Sequence, residues 1–224
     1  MSKNINNTKW RREDIKIGSW PLSKIPGLYR SEDHPMEEAQ QKLAQETKDQ
    51  YSHEEVFGDY CNVNQYINCP VDEAVAYASN PYSLEEWTFS VRDLKEVGGG
   101  LLCGREALAN NTVIYVRTEV YTDARAVDYL CAWDQGQELW MRYYCRFIDA
   151  MPAINKPGSI LMWLNCRHPH YLRGQQGAPK HIVDGQARQD RPWVGDIWKF
   201  FKVGHEIEAA NLKQILEHRF GKGK

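Results

Sequence analysis

Between Tyr60 and Cys166 apolar and polar residues alternate in short runs broken by turn residues, the two-residue period of half-buried strands. Seven runs carry the pattern: "YCNVNQYINCP", stopped by Pro70, then "FSVRDLKEV", "LLCGREAL", "TVIYVRTEVYT", "AVDYLCAW", "ELWMRYYCRFIDAM" and "SILMWLNCRHP". The separators are Gly98 to Gly100, Asn110-Asn111, Asp123-Ala124 and "DQGQ", all tight-turn material, so the runs predict an antiparallel meander. Two brief amphipathic segments, "VDEAVAYASNP" and "YSLEEWT", follow the first strand and are too short to stand alone.

From Trp198 to Phe220 the period becomes helical. Ile197, Trp198, Phe201, Leu212, Ile215 and Leu216 gather on one arc, with Lys199, Lys202, Glu206, Lys213 and Glu217 opposite. His205 and Glu208 fall inside the apolar arc, three residues apart and within side-chain reach. Burying an imidazole and a carboxylate is costly unless they satisfy each other or serve a site. The fold class expected is α+β, a curved seven-stranded antiparallel sheet around a long C-terminal helix, with two short helices after the first strand. One helix covers only part of so large a sheet, which leaves room for a pocket.

Residues 1–58 are polar and turn-rich, with a short helix after Asp33 whose first turn holds Pro35. Their few apolar residues cannot form a core, so this extension packs across the domain formed by 59–224 or contacts a partner, a second copy or a carrier protein.

Composition narrows the function. A net charge of -2 gives no broad positive field for a nucleic-acid backbone. No apolar window of about 20 residues suits a membrane span or an N-terminal leader, so a soluble cytoplasmic protein is expected. Six scattered cysteines without a C-x-x-C pair read as reduced packing residues, neither disulfides nor a metal site. His168 and His170 lack a Cys or acidic partner nearby and read as a loop rim. No metal and no cofactor are expected. Eight Trp and twelve Tyr, concentrated in the strand-like half, suit a partly wet aromatic pocket.

"VNQYINCPVDEAVAYASNP", the Trp and Leu of "LEEWTFSVRDL", "VDYLCAW" and "HEIEAANLKQILEHRF" resemble the START/Bet v1-like (SRPBCC) superfamily, in particular its polyketide cyclase/dehydrase-like members, over about residues 60 to 220. The resemblance implies a helix-grip fold holding a hydrophobic or poly-carbonyl small molecule between sheet and helix. Enzymes, carriers and sensors share that fold, so the fold does not choose among them.

Hairpin register decides which strand residues face inward. Two-residue turns at Asp123-Ala124 and Gln135-Gly136 place Ile114, Val116, Tyr129, Cys131, Trp133, Trp140, Arg142, Tyr144 and Arg146 on one face, taken as the cavity wall. Trp163 and Asn165 are placed inward on the last strand. The catalytic assignment is His205 and Glu208 for proton transfer, with Arg142 and Tyr144 polarising carbonyls. Tyr129, Trp133, Trp140, Trp163, Asn165 and Phe201 are assigned to ligand binding. The activity expected is cofactor-independent cyclisation, condensation or dehydration of a polyketide-type metabolite. The competing reading is a non-catalytic carrier or sensor of a lipid, quinone or aromatic ligand, which needs the cavity without the proton-transfer group.

Overall fold

The structure, a computed structural model, describes residues 12–14, 22–52, 56, 58–133, 138–172, 182–183, 186–187 and 193–221. The alternating runs form strands β1 (Tyr60–Ile67), β2 (Val91–Gly98), β3 (Leu101–Glu106), β4 (Thr112–Tyr121), β5 (Ala126–Trp133), β6 (Met141–Asp149) and β7 (Ser159–Cys166). They make one seven-stranded antiparallel sheet in the order β1-β7-β6-β5-β4-β3-β2. β2 to β7 are thus a meander, and β1 closes against β7 in unbroken register from Tyr60↔Cys166 to Ile67↔Ser159.

Helix α1 (Met36–Gln50) precedes the sheet; α2 (Val71–Ser79) and α3 (Leu84–Trp87) lie between β1 and β2, and α4 (Ala150–Ile154) joins β6 to β7. The last helix, α5 (Phe201–Phe220), is preceded by a 3-10 stretch, Val194–Phe200, so α-helical winding starts later than the periodicity from Trp198 suggests. Its buried side chains follow the helical period: Phe201, Ala209, Leu212, Ile215 and Leu216 join the main core against the sheet, while Val203 turns toward α1.

The first hairpin keeps the expected register. Thr122–Ala124 form a 3-10 turn with Arg125 left-handed (φ 47°), and Ile114 pairs with Trp133 and Val116 with Cys131. The second departs by one residue: Tyr129 pairs with Tyr143 and Cys131 with Met141. The intervening residues 134–137, with the expected Gln135-Gly136 turn, lie outside the described residues, as does most of the segment 173–192. Because strand side chains alternate, that shift reverses the whole of β6. Met141, Tyr143, Cys145 and Phe147 face the helix, and Arg142, Tyr144 and Arg146 face away.

The N-terminal segment lies against α5. Pro35 caps α1, and Glu37 and Glu38 in its first turn complement the helix dipole. Ala39 and Leu43 join Phe89 and Val203 in a small apolar cluster, while Leu22 and Ile25 enter the main core. Asn211 of α5 clamps this segment: its Oδ1 accepts from the Tyr29 N–H at 2.9 Å, and its Nδ2 donates to the Tyr29 carbonyl at 2.7 Å. Arg92 of β2 donates to Glu32 from Nε at 2.8 Å. At the other end of α5, Arg219 makes a bidentate pair with buried Glu86 at 2.7 and 2.8 Å, and the Tyr77 hydroxyl donates to the same carboxylate at 2.7 Å.

Candidate active site

The space between α5 and the sheet is a cavity with walls from most of the fold. β4 and β5 contribute Ile114, Val116, Tyr129, Cys131 and Trp133; β6 and β7 contribute Tyr143 and Trp163. Trp87 and Phe89 come from α3 and the turn after it, Glu106 from the end of β3, and Phe201, Gly204, His205 and Glu208 from α5. Leu43 of α1 completes one side. Its volume is about 110 Å³, well above the roughly 10–15 Å³ that a single water needs, so it has room for several waters or a small ligand.

His205 is 8 % exposed. Its Nδ1 lies 2.9 Å from Glu208 Oε2. Glu208 is fixed at its other oxygen, since Oε1 accepts the Phe89 N–H at 2.8 Å. A carboxylate only accepts, so Nδ1 carries the hydrogen and Nε2 is the free nitrogen of the neutral ring. Nε2 is buried and has no hydrogen-bond partner among the described residues. The ring is stacked on Trp163 (centroids 4.4 Å, 29°), with Tyr143 edge-on at 5.5 Å and Phe201 at 5.2 Å. Orientation by Glu208 on one side and aromatic walls on the others leaves the imidazole one direction in which to exchange a proton, the cavity.

Glu106 is a second carboxylate in the cavity, which the sequence reading did not pick out. In the ladder it stands opposite Thr112, on the face shared by Gly104, Leu102, Ile114 and Val116. Its Oε1 accepts from the Ser90 hydroxyl. Burial pushes its carboxyl up to about 7, reinforced by the charge of Glu208 and opposed by the Ser90 hydrogen bond and Arg92. Arg92 is itself held by Glu32 and by the carbonyls of Thr88, Phe89 and Val91. Gly104, one position inward from Glu106, is required by close packing: a Cβ there would stand 2.6 Å from the Arg92 carbonyl oxygen.

Of the assigned residues, His205, Glu208, Tyr129, Trp133, Trp163 and Phe201 line the cavity. The Tyr129 hydroxyl is already used, donating to the Ala78 carbonyl at 2.6 Å, so this residue is a wall. Arg142, Tyr144 and Trp140 are corrected. Arg142 is exposed on the face away from the helix, and Tyr144 shares that face with Arg146, whose guanidinium lies 5.9 Å from its ring. Arg146 pairs with Asp128. Trp140 precedes β6 and packs on His168, His170, Tyr171 and Trp193 outside the cavity. Asn165 faces inward but is fully buried beyond the cavity, opposite Tyr143 in the ladder.

Tyr143, Trp87, Gly204 and Glu106 are among the lining residues that went unassigned. Tyr143 was hidden by the one-residue register shift. Trp87 is set by α3, where periodicity is too short to read, and its Nε1 donates to Ser83 at 3.2 Å. Burial raises the Tyr143 phenol well above its ordinary range, so it is a neutral donor. Burial likewise raises the Cys131 thiol, leaving it a wall and not a nucleophile. Among the described residues no group of three His, Cys, Asp or Glu side chains is placed to hold a metal ion.

Seven antiparallel strands wrapped around one long C-terminal helix, with a cavity between, settle the architecture. This is a helix-grip fold. No protein-family model matches the chain, and no curated protein matches it. Among solved structures the chain is similar to a START superfamily protein from Mycobacterium smegmatis at 7 % identity and a TM-score of 0.48, over 71 % of this chain and 97 % of that one. It is similar to the Zhui aromatase/cyclase from Streptomyces sp. R1128 at 12 % identity and a TM-score of 0.45, over 74 % and 98 %. XoxI from Bacillus cereus aligns at 12 % identity and a TM-score of 0.47, over 70 % and 94 %. At such identities neither the activity nor the ligand of those proteins transfers to this helix-grip chain. Among the described residues no helix is long and apolar enough to cross a membrane.

Proposed function

We propose that this helix-grip protein is a cofactor-independent enzyme moving protons on a compact aromatic or poly-carbonyl metabolite of the polyketide type, with cyclisation, condensation or dehydration as the outcome. The observation that carries the reading is the His205–Glu208 pair, oriented through Nδ1 with Nε2 unpartnered in an aromatic cavity. A carrier has no use for a base held at one nitrogen by a fixed carboxylate and left free at the other where the ligand sits.

In the proposed reaction Nε2 takes a proton from carbon beside a carbonyl, and the electron pair moves onto the carbonyl oxygen as an enolate. Glu208 stabilises the resulting imidazolium, and the Tyr143 hydroxyl donates to the oxygen. The enolate carbon bonds to a second carbonyl of the same molecule, whose oxygen takes the proton back from Nε2; loss of water completes a dehydration. The cavity holds the two carbon centres near each other, a contribution that needs shape alone.

Hydrogen–deuterium exchange beside the carbonyl of small aryl ketones, followed by NMR in D2O, tests this reading. His205→Ala is expected to slow exchange by about 10²–10⁴-fold while ketone affinity stays within about threefold. Unchanged exchange in the variant makes the protein a carrier.

A further inference from the structure

Polyketide-type chemistry creates negative charge on oxygen, and the arginine that the sequence offered to offset it, Arg142, lies outside the cavity. Among the described residues no Lys or Arg lines the space at all. What lines it instead is two carboxylates, Glu106 and Glu208, and the rings of Trp87, Trp133, Tyr143 and Trp163. Glu208 is already engaged by His205 and the Phe89 amide; Glu106 accepts from the Ser90 hydroxyl at Oε1 and from the Leu108 N–H, both of them neutral donors. Ring faces carry the negative end of the aromatic quadrupole and attract cations, more strongly where water is excluded. Arg92 bears on Glu106 through its charge while its own hydrogen bonds go to Glu32 and backbone carbonyls, and a buried carboxyl with no cation bonded to it is unfavourable as the anion and gains from a ligand that brings one. The unpartnered His205 Nε2, more than nine-tenths buried, independently marks the same space as one that a ligand completes.

We infer that this cavity selects a ligand bearing a protonated nitrogen, an aryl-alkyl ammonium compound, seated against Glu106 and the aromatic rings. The inference rests on the enzymatic reading for its setting and names the class of substrate. The ligand's own positive charge then stands in for the missing arginine and offsets the enolate. Anionic ligands, carboxylates and phosphates alike, are disfavoured by the same carboxylates.

Three probes of matched shape test it on the full chain: phenethylammonium, its neutral counterpart 2-phenylethanol and the anion phenylacetate, titrated by calorimetry at pH 7.5. Phenethylammonium is expected to bind about tenfold or more tightly than either, the size of a desolvated cation–aromatic contact plus an ion pair. Glu106→Gln keeps shape and hydrogen bonding while removing the charge, and is expected to abolish that preference with 2-phenylethanol affinity unchanged within about threefold. Equal or tighter binding of the alcohol or of phenylacetate by the wild-type protein overturns the inference, as does absence of ammonium binding at millimolar concentration. A preference that survives in a folded Glu106→Gln overturns the role of Glu106. Because the wild-type series reads charge selectivity without any variant or turnover, its failure is distinct from that of the proton-transfer reading, which rests on His205→Ala.

Discussion

Two residues in the cavity carry consequences beyond ligand binding. The Glu106 carboxyl has an ordinary value of 4.5 and is pushed up to about 7 by burial in the folded protein. Between these values the native chain holds a proton that the unfolded chain has lost, so the stability tied to this group is full below about 4.5 and falls as pH rises through 7. The whole effect is on the order of 3 kcal/mol. Urea denaturation from pH 5 to 8 is therefore expected to show Glu106→Gln gaining on the wild type as pH rises; a constant gap would contradict it. Gly204 lies in the first turns of α5 beside His205, and a Cβ there would meet nothing within 4 Å. Gly204→Ala is expected to raise stability by about 0.5–1 kcal/mol through lower chain entropy in the unfolded state, measured as an upward shift in Tm, while weakening any ligand that lies against the bare backbone.

At the scale of elements, α5 is held near its middle by Asn211 and at its C-terminal end by a buried ion pair. Arg219 and Glu86 are both almost fully buried, and Tyr77 adds a third bond, so the pair joins α2, α3 and α5 at one point. Removing one partner strands the other charge: Glu86→Gln is expected to cost about 3–5 kcal/mol, read as a lower midpoint in urea with unchanged slope. Trp87, one residue on, forms the cavity wall, so this ion pair sets the wall's position. Strands such as β1 and β7 were legible from alternation because each has one face inward and one face outward, while β5, buried on both faces, was bounded by its flanking turns. The register of β6 was not legible. In "WMRYYC" aromatic residues fall on both parities, so neither face is marked as interior by hydrophobicity, and only the turn's length decides. Three of the site assignments, Arg142, Tyr144 and Trp140, failed for that reason. Glu106 was illegible for another: it ends its strand beside Arg105, and a charged pair at a strand end looks solvated until Ser90 and the helix are placed over it. His205 and Glu208 were legible because on a helix the misfit between polarity and position is visible in the sequence alone.

Across the whole molecule, the N-terminal segment completes the cavity. Leu43 of α1 is 2 % exposed, lies in the cavity wall and packs with Phe89 and Val203. Tyr51, at the C-terminal end of α1, donates its hydroxyl to Glu206 of α5. Leu43→Ala is expected to enlarge the cavity, to cost about 2–4 kcal/mol and to speed ligand exchange in stopped-flow fluorescence; unchanged exchange would show that ligands enter elsewhere. Asn211 joins partners 182 residues apart in the chain, and β1 waits for β7 before it has a neighbour. Contacts of such separation form late and slowly, since loop closure precedes their reward. During synthesis, then, the sheet emerges from the ribosome with its tryptophan-lined trough bare until α5 follows, the kind of exposed apolar surface that chaperones hold. Stalling the nascent chain just short of Phe201 is a way to capture that state.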